Sequence, residues 1–325
     1  MRIFPSLAAA IAPFLFSGPV LAQDEVPTPD EINAAAYDGG GLPEGRSALT
    51  VKLQVLLDRA GISPGIIDGY KGGMSESALR AFETREGYEV DGLLDMEVWQ
   101  ALGGPEAGAV VAEYTISEDD ADRLNPPLPD DYAELAEMDW LGYASVAESL
   151  AERFHMDEEF LEGLNPDAEF AVGDPVVVAQ PGDELSAEIT RVEVDKASQR
   201  LAAFNAAGEM IANYPVTVGS QQLPSPSGTH EVQAIALPAS YTYQPDENFQ
   251  QGDNDEGLVL PPGPNNPVGI VWIDINKPTY GIHGTSEPAE LFQTQSHGCV
   301  RMTNWDAREL AHMVSEGTTV VFNEG

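Results

Sequence analysis

Apolar residues between positions 48 and 102 recur at helical spacing and predict a small all-α module. Three leucines within 53–57 fall on one helix face. A second helix, with Ser75 as its N-cap, and a third helix that ends at Leu102 follow along the chain. Asp-Gly pairs precede the second and the third helix and are typical of turns. The pattern therefore predicts a compact three-helix domain over residues 48–102.

The pattern changes between residues 103 and 187, where it predicts a linker followed by an α+β segment. A short strand is predicted over 113–116, and a proline-rich break follows at 126–129. Apolar residues within 146–164 then indicate two helices, and the apolar stretch 172–178 indicates a closing strand.

Residues 188–325 show mainly the alternation of apolar and polar positions that is typical of β-strands. Short alternating segments recur from Val192 onward and end with a strand over 318–322. One helix is predicted near the C-terminus, with Thr303 as its N-cap. The segment 238–268 is polar, rich in proline and glycine, and longer than an ordinary connection, so it is expected to cover a site.

The first residues lack this folding pattern. Arg2 and a short apolar run over 3–16 lead to small residues at Val20–Ala22, which predicts a secretory signal peptide over residues 1–22 with cleavage near Ala22. Residues 23–47 are acidic and poor in large apolar side chains, which predicts a flexible leader. No later segment is long and apolar enough for a membrane span, so the mature chain is expected to be exported and periplasmic.

Charge excludes two classes of partner. The chain has a formal net charge of −39, and most of the acidic excess lies before residue 188. A surface of this sign repels nucleic acid and anionic lipid, so neither is expected as a partner. Solubility accounts for the excess more simply than an acidic binding site does.

The candidate chemistry lies near the C-terminus. Cys299 is the only cysteine, His297 stands two positions before it, and His283 lies 16 residues upstream. An exported protein has little use for a single thiol in structural pairing, whereas a thiol beside an imidazole can become a nucleophile. Glycines on both sides let backbone N–H groups approach a developing oxyanion. The cluster predicts a cysteine nucleophile with a histidine base.

Three stretches resemble known families. Tyr280–Thr285 together with Ser296–Met302 looks like the active-site signature of the L,D-transpeptidases (the YkuD/ErfK family), and the turn 224–229 supports the match. The Asp-Gly and helix pattern of 48–102 resembles the peptidoglycan-binding domain. The segment around 143–178 resembles a LysM module, although Tyr143–Val146 stands where that module usually has Gly-Asp-Thr. The implied fold is therefore multi-domain: an all-α module, an α+β LysM-like segment and a mainly-β YkuD-type sandwich over 188–325.

The resemblance implies roles for individual residues. Cys299 would attack the diamino-acid carbonyl of a peptidoglycan tetrapeptide stem, release D-Ala and form a thioester that passes to an amine. His283 would be the base, oriented by a backbone carbonyl near Gly284. The remaining implied site residues are a substrate-binding pair, Tyr280 and Arg301, and an oxyanion-binding or site-shaping group: Gly284, Ser296, His297 and Gly298.

Several alternatives remain open at this stage. His297 could shape the site or act as a second acid–base group. A zinc site of His283, His297 and Cys299 lacks a known ligand spacing, so no metal and no cofactor is expected. The acceptor could be a stem amine, an outer-membrane protein, a D-amino acid or water. Water would make the chain an L,D-carboxypeptidase or a hydrolase that releases anchored protein. A non-catalytic scaffold that binds wall glycan is the rival hypothesis.

Overall fold

A computed structural model describes residues 25–125, 127–246 and 249–324. The predicted signal peptide lies outside these residues. The helices are α1 (Pro29–Ala34), α2 (Ala48–Arg59), α3 (Gly73–Glu86), α4 (Met96–Ala101), α5 (Tyr132–Ala136), α6 (Val146–Arg153), α7 (Glu158–Leu164) and α8 (Asn304–Met313). The strands are β1 (Val111–Thr115), β2 (Pro175–Ala179), β3 (Arg191–Asp195), β4 (Arg200–Phe204), β5 (Met210–Pro215), β6 (Gly228–Ala236), β7 (Tyr241–Tyr243), β8 (Leu258–Leu260), β9 (Trp272–Ile275), β10 (Gly281–His283), β11 (Val300–Arg301) and β12 (Thr319–Asn323).

The N-terminal half, residues 25–179, is built around one hydrophobic core. Leu53 of α2, Phe160 of α7 and Val176 of β2 belong to the same buried cluster. The three predicted helices α2, α3 and α4 are present, which confirms the all-α module. Its second helix begins at Gly73 with Gly72 as N-cap, so Ser75 lies inside the first turn and does not cap the helix.

The flexible leader predicted for residues 23–47 is wrong where the structure describes it. Helix α1 begins at a capping box in which the Thr28 side chain accepts from the Glu31 N–H and the Glu31 side chain accepts from the Thr28 N–H. Ile32 is 0% exposed within the first core. The side chain of Asn33 accepts from the N–H groups of Val110 and Val111 at 2.8 and 3.1 Å. One buried isoleucine and these bonds therefore fix a segment whose composition alone indicates disorder.

The middle segment contains the predicted strand, two helices and strand in that order, with the unpredicted helix α5 inserted after β1. Strand β1 pairs with β2 in antiparallel fashion, with Val111 opposite Ala179, and α6 and α7 lie between them in the chain. Ser145 caps α6 by accepting from the Glu148 N–H. The likeness of this segment to a LysM module stays a prediction.

Residues 127–144 differ from the linker that was predicted. Helix α5 leaves the first core and packs against the β7–β8 hairpin of the C-terminal half. Leu135 and Leu141 from this stretch form a third buried cluster with Tyr243 and Leu260. The N-terminal half thus packs against the long segment 238–268.

The C-terminal half is a mainly-β sandwich, as predicted. The strand order is β11-β10-β9-β6-β12-β3-β4-β5. Strand β6 pairs first with β12 and then with β9, with a register shift between Val232 and Ala234. Side chains from opposite ends of this strand order, such as Leu201 of β4 and Ile282 of β10, belong to one buried core. Helix α8 is the one α-helix after Cys299, and Thr303 caps it as predicted.

The two halves also meet through a buried polar interface. Residues 61–63 cover the edge strand β5, where the Ser63 N–H donates to the Asn213 carbonyl at 2.9 Å. The buried Arg200 guanidinium donates to the Ser63 carbonyl at 3.0 Å. His155 stacks on Trp305 with 5.2 Å between ring centroids, so this histidine is an interface residue. No helix in the described ranges is long and apolar enough to cross a membrane.

Candidate active site

Strand pairing brings the cysteine and the first histidine together. Strands β10 and β11 run parallel, with Ile282 opposite Val300 and His283 opposite Arg301. Side chains alternate along a strand and paired residues point to the same face. Cys299, immediately before β11, therefore shares a face with Arg301 and His283. The two segments of the sequence motif meet because they are neighbours in the sheet.

His283 is held rigidly in one orientation. Its side chain is 7% exposed, and Nδ1 lies 2.6 Å from the Gly284 carbonyl oxygen. A carbonyl can only accept, so Nδ1 carries the proton and Nε2 remains as the basic atom. The orienting hydrogen bond expected from the sequence is thus present. Trp272 stacks on the ring at 5.6 Å between centroids and 19° between planes.

The protonation state of His283 follows from its surroundings. Burial lowers the pKa of His283 to about 4, the hydrogen bond to Gly284 opposes this shift, and the charge of Arg301 lowers the pKa further. The imidazole is therefore neutral near pH 7. A neutral ring with a free Nε2 can accept a proton from a nucleophile.

Cys299 is a free, partly exposed thiol. Its Sγ lies 3.6 Å from the Thr279 carbonyl oxygen, to which the S–H can donate. Burial raises the pKa of Cys299, while a hydrogen bond from the Gly281 backbone and the charge of Arg301 lower it in part. The resting site thus favours a thiol beside a neutral imidazole over a preformed thiolate–imidazolium pair.

The turn before the cysteine is held by Ser296. Its hydroxyl donates to the Cys299 carbonyl at 2.5 Å and accepts from the Gly298 N–H at 3.1 Å. Gly298 has a φ of +117°, and a Cβ there would lie 2.7 Å from the Tyr280 ring. Tyr280 therefore packs against this turn. The Gly298 N–H is thus already bonded within the turn.

A buried chain of side chains supports Gly284 from the other half of the molecule. Any side chain at Gly284 would collide with Asn304 Oδ1, which also accepts from the Ile270 N–H at 3.1 Å. Asn304 Nδ2 donates to Glu152 Oε1 at 2.8 Å. Glu152 comes from α6 and is 8% exposed. The Gly284 backbone, which orients His283, therefore packs against Asn304, and Asn304 is hydrogen-bonded to a carboxyl group of the N-terminal half.

His297 has a different environment from His283. It is exposed, and its ring stacks on Phe249 at 5.2 Å between centroids and 24° between planes. Phe249 belongs to the long segment 238–268, which was expected to cover a site. His297 is therefore a solvent-exposed residue that contacts this segment, whereas His283 is buried.

Arg301 is partly buried beside the cysteine and has two neighbours of its own. Its Nη1 donates to Thr294 Oγ1 at 3.1 Å and lies 3.9 Å from Glu290 Oε2. Glu290 is a half-exposed ion-pair partner of Arg301. Across the described ranges, no group of three or more His, Cys, Asp or Glu side chains is placed to hold a metal ion.

Sequence reasoning missed the residues that support this site. Trp272 lies in an apolar stretch from which only a strand is predicted. Asn304 lies at the start of a helix for which only the N-cap is predicted. Glu152 and Phe249 carry no motif. In the structure, a Cβ at Gly281 would lie 2.6 Å from the Trp272 ring, so the glycine at this position of the motif leaves room for Trp272.

Comparisons with known proteins agree with this geometry. Residues 189–322 match the family model of the L,D-transpeptidase catalytic domain, YkuD. Residues 46–102 match the family model of a peptidoglycan binding domain.

Named relatives match part of the chain. A Bacillus subtilis protein named as the L,D-transpeptidase YkuD is 47% identical over 60 residues, which are 18% of this chain and 37% of that protein. An Escherichia coli protein named as the L,D-transpeptidase ErfK/SrfK is 27% identical over 132 residues, 40% of this chain and 42% of that protein. The chain thus spans less than half the length of these relatives.

A crystal structure of a mutant L,D-transpeptidase from Enterococcus faecium is 22% identical, covers 54% of this chain and 64% of its own, and has a TM-score of 0.33. That score is too low to establish a common fold, so the assignment rests on the sequence matches. Residues 189–322 are therefore a catalytic domain of the YkuD L,D-transpeptidase family, and residues 46–102 are a domain of the peptidoglycan binding family.

Proposed function

We propose that this chain is a cysteine-dependent L,D-transpeptidase that acts on peptidoglycan stem peptides in the periplasm. The observation that carries the proposal is the placement of a neutral, oriented imidazole on the same sheet face as the only thiol. His283 has Nδ1 bonded to the Gly284 carbonyl and Nε2 available, and its partner across the strands, Arg301, lies two residues after Cys299. This is the arrangement that a thiol needs for activation by a general base.

The first step would be acylation of the thiol. Cys299 Sγ attacks the carbonyl between the diamino acid and the terminal D-Ala as its proton passes to His283 Nε2. The S–C bond forms, the C–N bond breaks, and the proton goes on to the amine of the departing D-Ala. Because the pKa of His283 is lowered and that of Cys299 raised, proton transfer accompanies attack and does not precede it.

The tetrahedral intermediate needs donors near its oxyanion. The amides of His297 and Cys299 are the candidates, since Ser296 already occupies the Gly298 N–H. Arg301 stands on the same face as the thiol, and its charge is balanced in part by Glu290. A substrate carboxylate could pair with Arg301 by displacing that exposed partner.

The second step would transfer the acyl group to an amine. The acceptor nitrogen attacks the thioester carbon, the C–N bond forms, the C–S bond breaks, and the amine's proton returns to the thiolate through His283. A stem amine as acceptor gives a 3→3 cross-link, and an amine of an outer-membrane protein gives anchoring to the wall. The domain over 46–102 would hold the enzyme at its glycan substrate.

Mass spectrometry of muropeptides tests this proposal. The mature protein is incubated with disaccharide-tetrapeptide beside a Cys299→Ala control. We expect the wild type alone to form a dimer that has lost one D-Ala. Tripeptide without dimer would identify a carboxypeptidase that uses the same thioester. Unchanged substrate with both proteins, together with no labelling of Cys299 by a carbapenem, would overturn the enzyme and leave the scaffold hypothesis.

A further inference from the structure

We propose that Tyr132, in the N-terminal half, is a positioning residue for the active site in the C-terminal half. It holds the aromatic side chains of segment 238–268, one of which stacks on His297, two residues before Cys299. This inference rests on the proposed function, because its readout is the reactivity of Cys299. We call the group formed by Tyr132, Tyr241, Tyr243 and Phe249 the aromatic brace.

Tyr132 is the centre of the aromatic brace. Its ring meets Tyr243 at 5.3 Å and 90°, Tyr241 at 6.1 Å and 86°, and Phe249 at 6.1 Å and 71°. These edge-to-face geometries are the favoured arrangement of aromatic rings. The other three rings come from segment 238–268, so a single side chain of the N-terminal half contacts all of them.

Hydrogen bonds fix Tyr132 in this place. Its N–H donates to Gln251 Oε1 at 3.2 Å, and Gln251 Nε2 donates to the Asp130 carbonyl at 2.7 Å. The Gln251 N–H in turn donates to the Tyr243 hydroxyl at 3.0 Å. Asp131, the N-cap of α5, accepts from Asn254 Nδ2 at 3.2 Å. The helix and the segment it contacts therefore form one hydrogen-bonded unit.

A second connection holds the same two segments together further along the chain. The Leu141 N–H donates to the Pro262 carbonyl and the Asn265 N–H donates to the Leu141 carbonyl, each at 3.0 Å. Gly263 comes so close to Leu141 that any side chain there would collide with it. Residues 130–141 are thus fixed at both ends against segment 238–268.

The aromatic brace reaches the reacting groups at two points. Phe249 stacks on His297, two residues before the nucleophile. Burial raises the pKa of Tyr241, and charge on Tyr132 and on Cys299 raises it further, which places Tyr241 within electrostatic range of the thiol. Removing the Tyr132 ring would leave Tyr241 and Phe249 without their common contact. Small displacements near reacting atoms cost reactivity far more than they cost stability.

The test compares the acylation of Cys299 in full-length variants. The probe is imipenem, whose covalent adduct is followed by intact-protein mass spectrometry to give a second-order rate constant. We expect Tyr132→Ala to lower this constant by about tenfold or more. We expect Tyr132→Phe, which keeps the ring, to stay within about twofold of the wild type.

A matched control separates positioning from general destabilisation. Tyr114 makes a comparable edge contact with Phe154, at 5.1 Å and 62°, in the first core of the same half. Tyr114→Ala should lower the Tm while leaving the rate constant within about twofold of the wild type. Equal loss of reactivity in Tyr114→Ala and Tyr132→Ala would overturn the positioning role.

A double-mutant cycle gives the final distinction. If Tyr132 acts through Phe249, Tyr132→Ala should add little to the loss already caused by Phe249→Ala, whereas independent effects would multiply. Multiplied effects would overturn the route through Phe249. If wild-type Cys299 does not react with imipenem at all, the proposed function fails. If the wild type reacts and Tyr132→Ala reacts equally fast, only the positioning role fails.

Discussion

The two sides of Cys299 differ in how the protein holds a histidine. His283 lies on the inner side, 7% exposed, with its ring bonded to Gly284 and stacked on Trp272. His297 lies on the outer side, exposed, with Phe249 stacked on its ring. Both belong to the same motif, and only the tertiary environment separates them.

The difference shows what burial provides for catalysis. A desolvated imidazole with one nitrogen occupied stays neutral and keeps its basic nitrogen in one direction. An exposed imidazole on a surface segment can change its orientation when substrate binds, because no core residues fix its ring. The inner side is therefore suited to proton transfer, and the outer side to shaping how the substrate enters.

Replacing the two histidines in turn tests this comparison most directly. We expect His283→Ala to lower the acylation rate by about 10²–10⁴-fold, because general-base catalysis is lost. His297→Ala should lower it by less than about tenfold, because the turn and its backbone donors remain. The imipenem adduct assay measures both. A larger loss for His297→Ala would reverse the assignment and make His297 the acid–base group.

The pH dependence of acylation sharpens the role of the inner side. The pKa of His283 is lowered to about 4, so the ring is neutral above that pH and protonated below it. Acylation should therefore be level from about pH 5 to 7 and fall about tenfold per pH unit below about pH 4. Circular dichroism over the same range controls for unfolding. A loss of activity centred near pH 6.5 would show that the imidazole has an ordinary pKa.

Trp272 should affect the orientation of His283 and not that of His297. Trp272→Ala removes the ring that stacks on His283, and we expect about a tenfold loss in the rate of acylation from the freed imidazole. Trp272→Phe keeps an aromatic surface and should recover most of that rate. If Trp272→Ala reacts as fast as the wild type, then the Gly284 hydrogen bond orients the ring without help.

The smallest expected effect concerns the carboxyl group behind Gly284. Burial raises the pKa of Glu152 to about 7, while hydrogen bonds from Asn304 and Tyr143 oppose this shift. A carboxyl whose folded-state pKa is raised stabilises the fold most below its ordinary pKa, and this contribution is lost as pH rises through about 7. The wild-type Tm should therefore be higher at about pH 5 than at pH 8.

Glu152→Gln should flatten that pH dependence while keeping the bond to Asn304. Burial also raises the pKa of Asp306 to about 7, so Asp306→Asn serves as a matched variant at the polar interface. Thermal unfolding of both variants measures the change. An unaltered pH dependence in Glu152→Gln would mean that this carboxyl is ionised throughout.

Much of the fold could be predicted because its signals are local. Helical spacing predicts α2, and the Thr303 cap predicts the start of α8. Alternation predicts the strand that became β3. Residues 25–47 were wrongly predicted to be flexible because average composition outweighed a four-residue capping box and one buried isoleucine. The packing of α5 on β7 and β8 could not be predicted, since it depends on contacts more than a hundred residues apart.

Residue types and their spacing were enough to indicate the candidate chemistry of this protein. A single thiol, two histidines and the surrounding glycines are enough to indicate a nucleophile, a base and a tight turn. The tertiary structure decided which histidine is buried and neutral, because that depends on desolvation by Trp272 and on the Gly284 carbonyl. It also decided that Tyr132 and Glu152 reach the catalytic half, because side chains distant in the chain meet only when the two halves pack together.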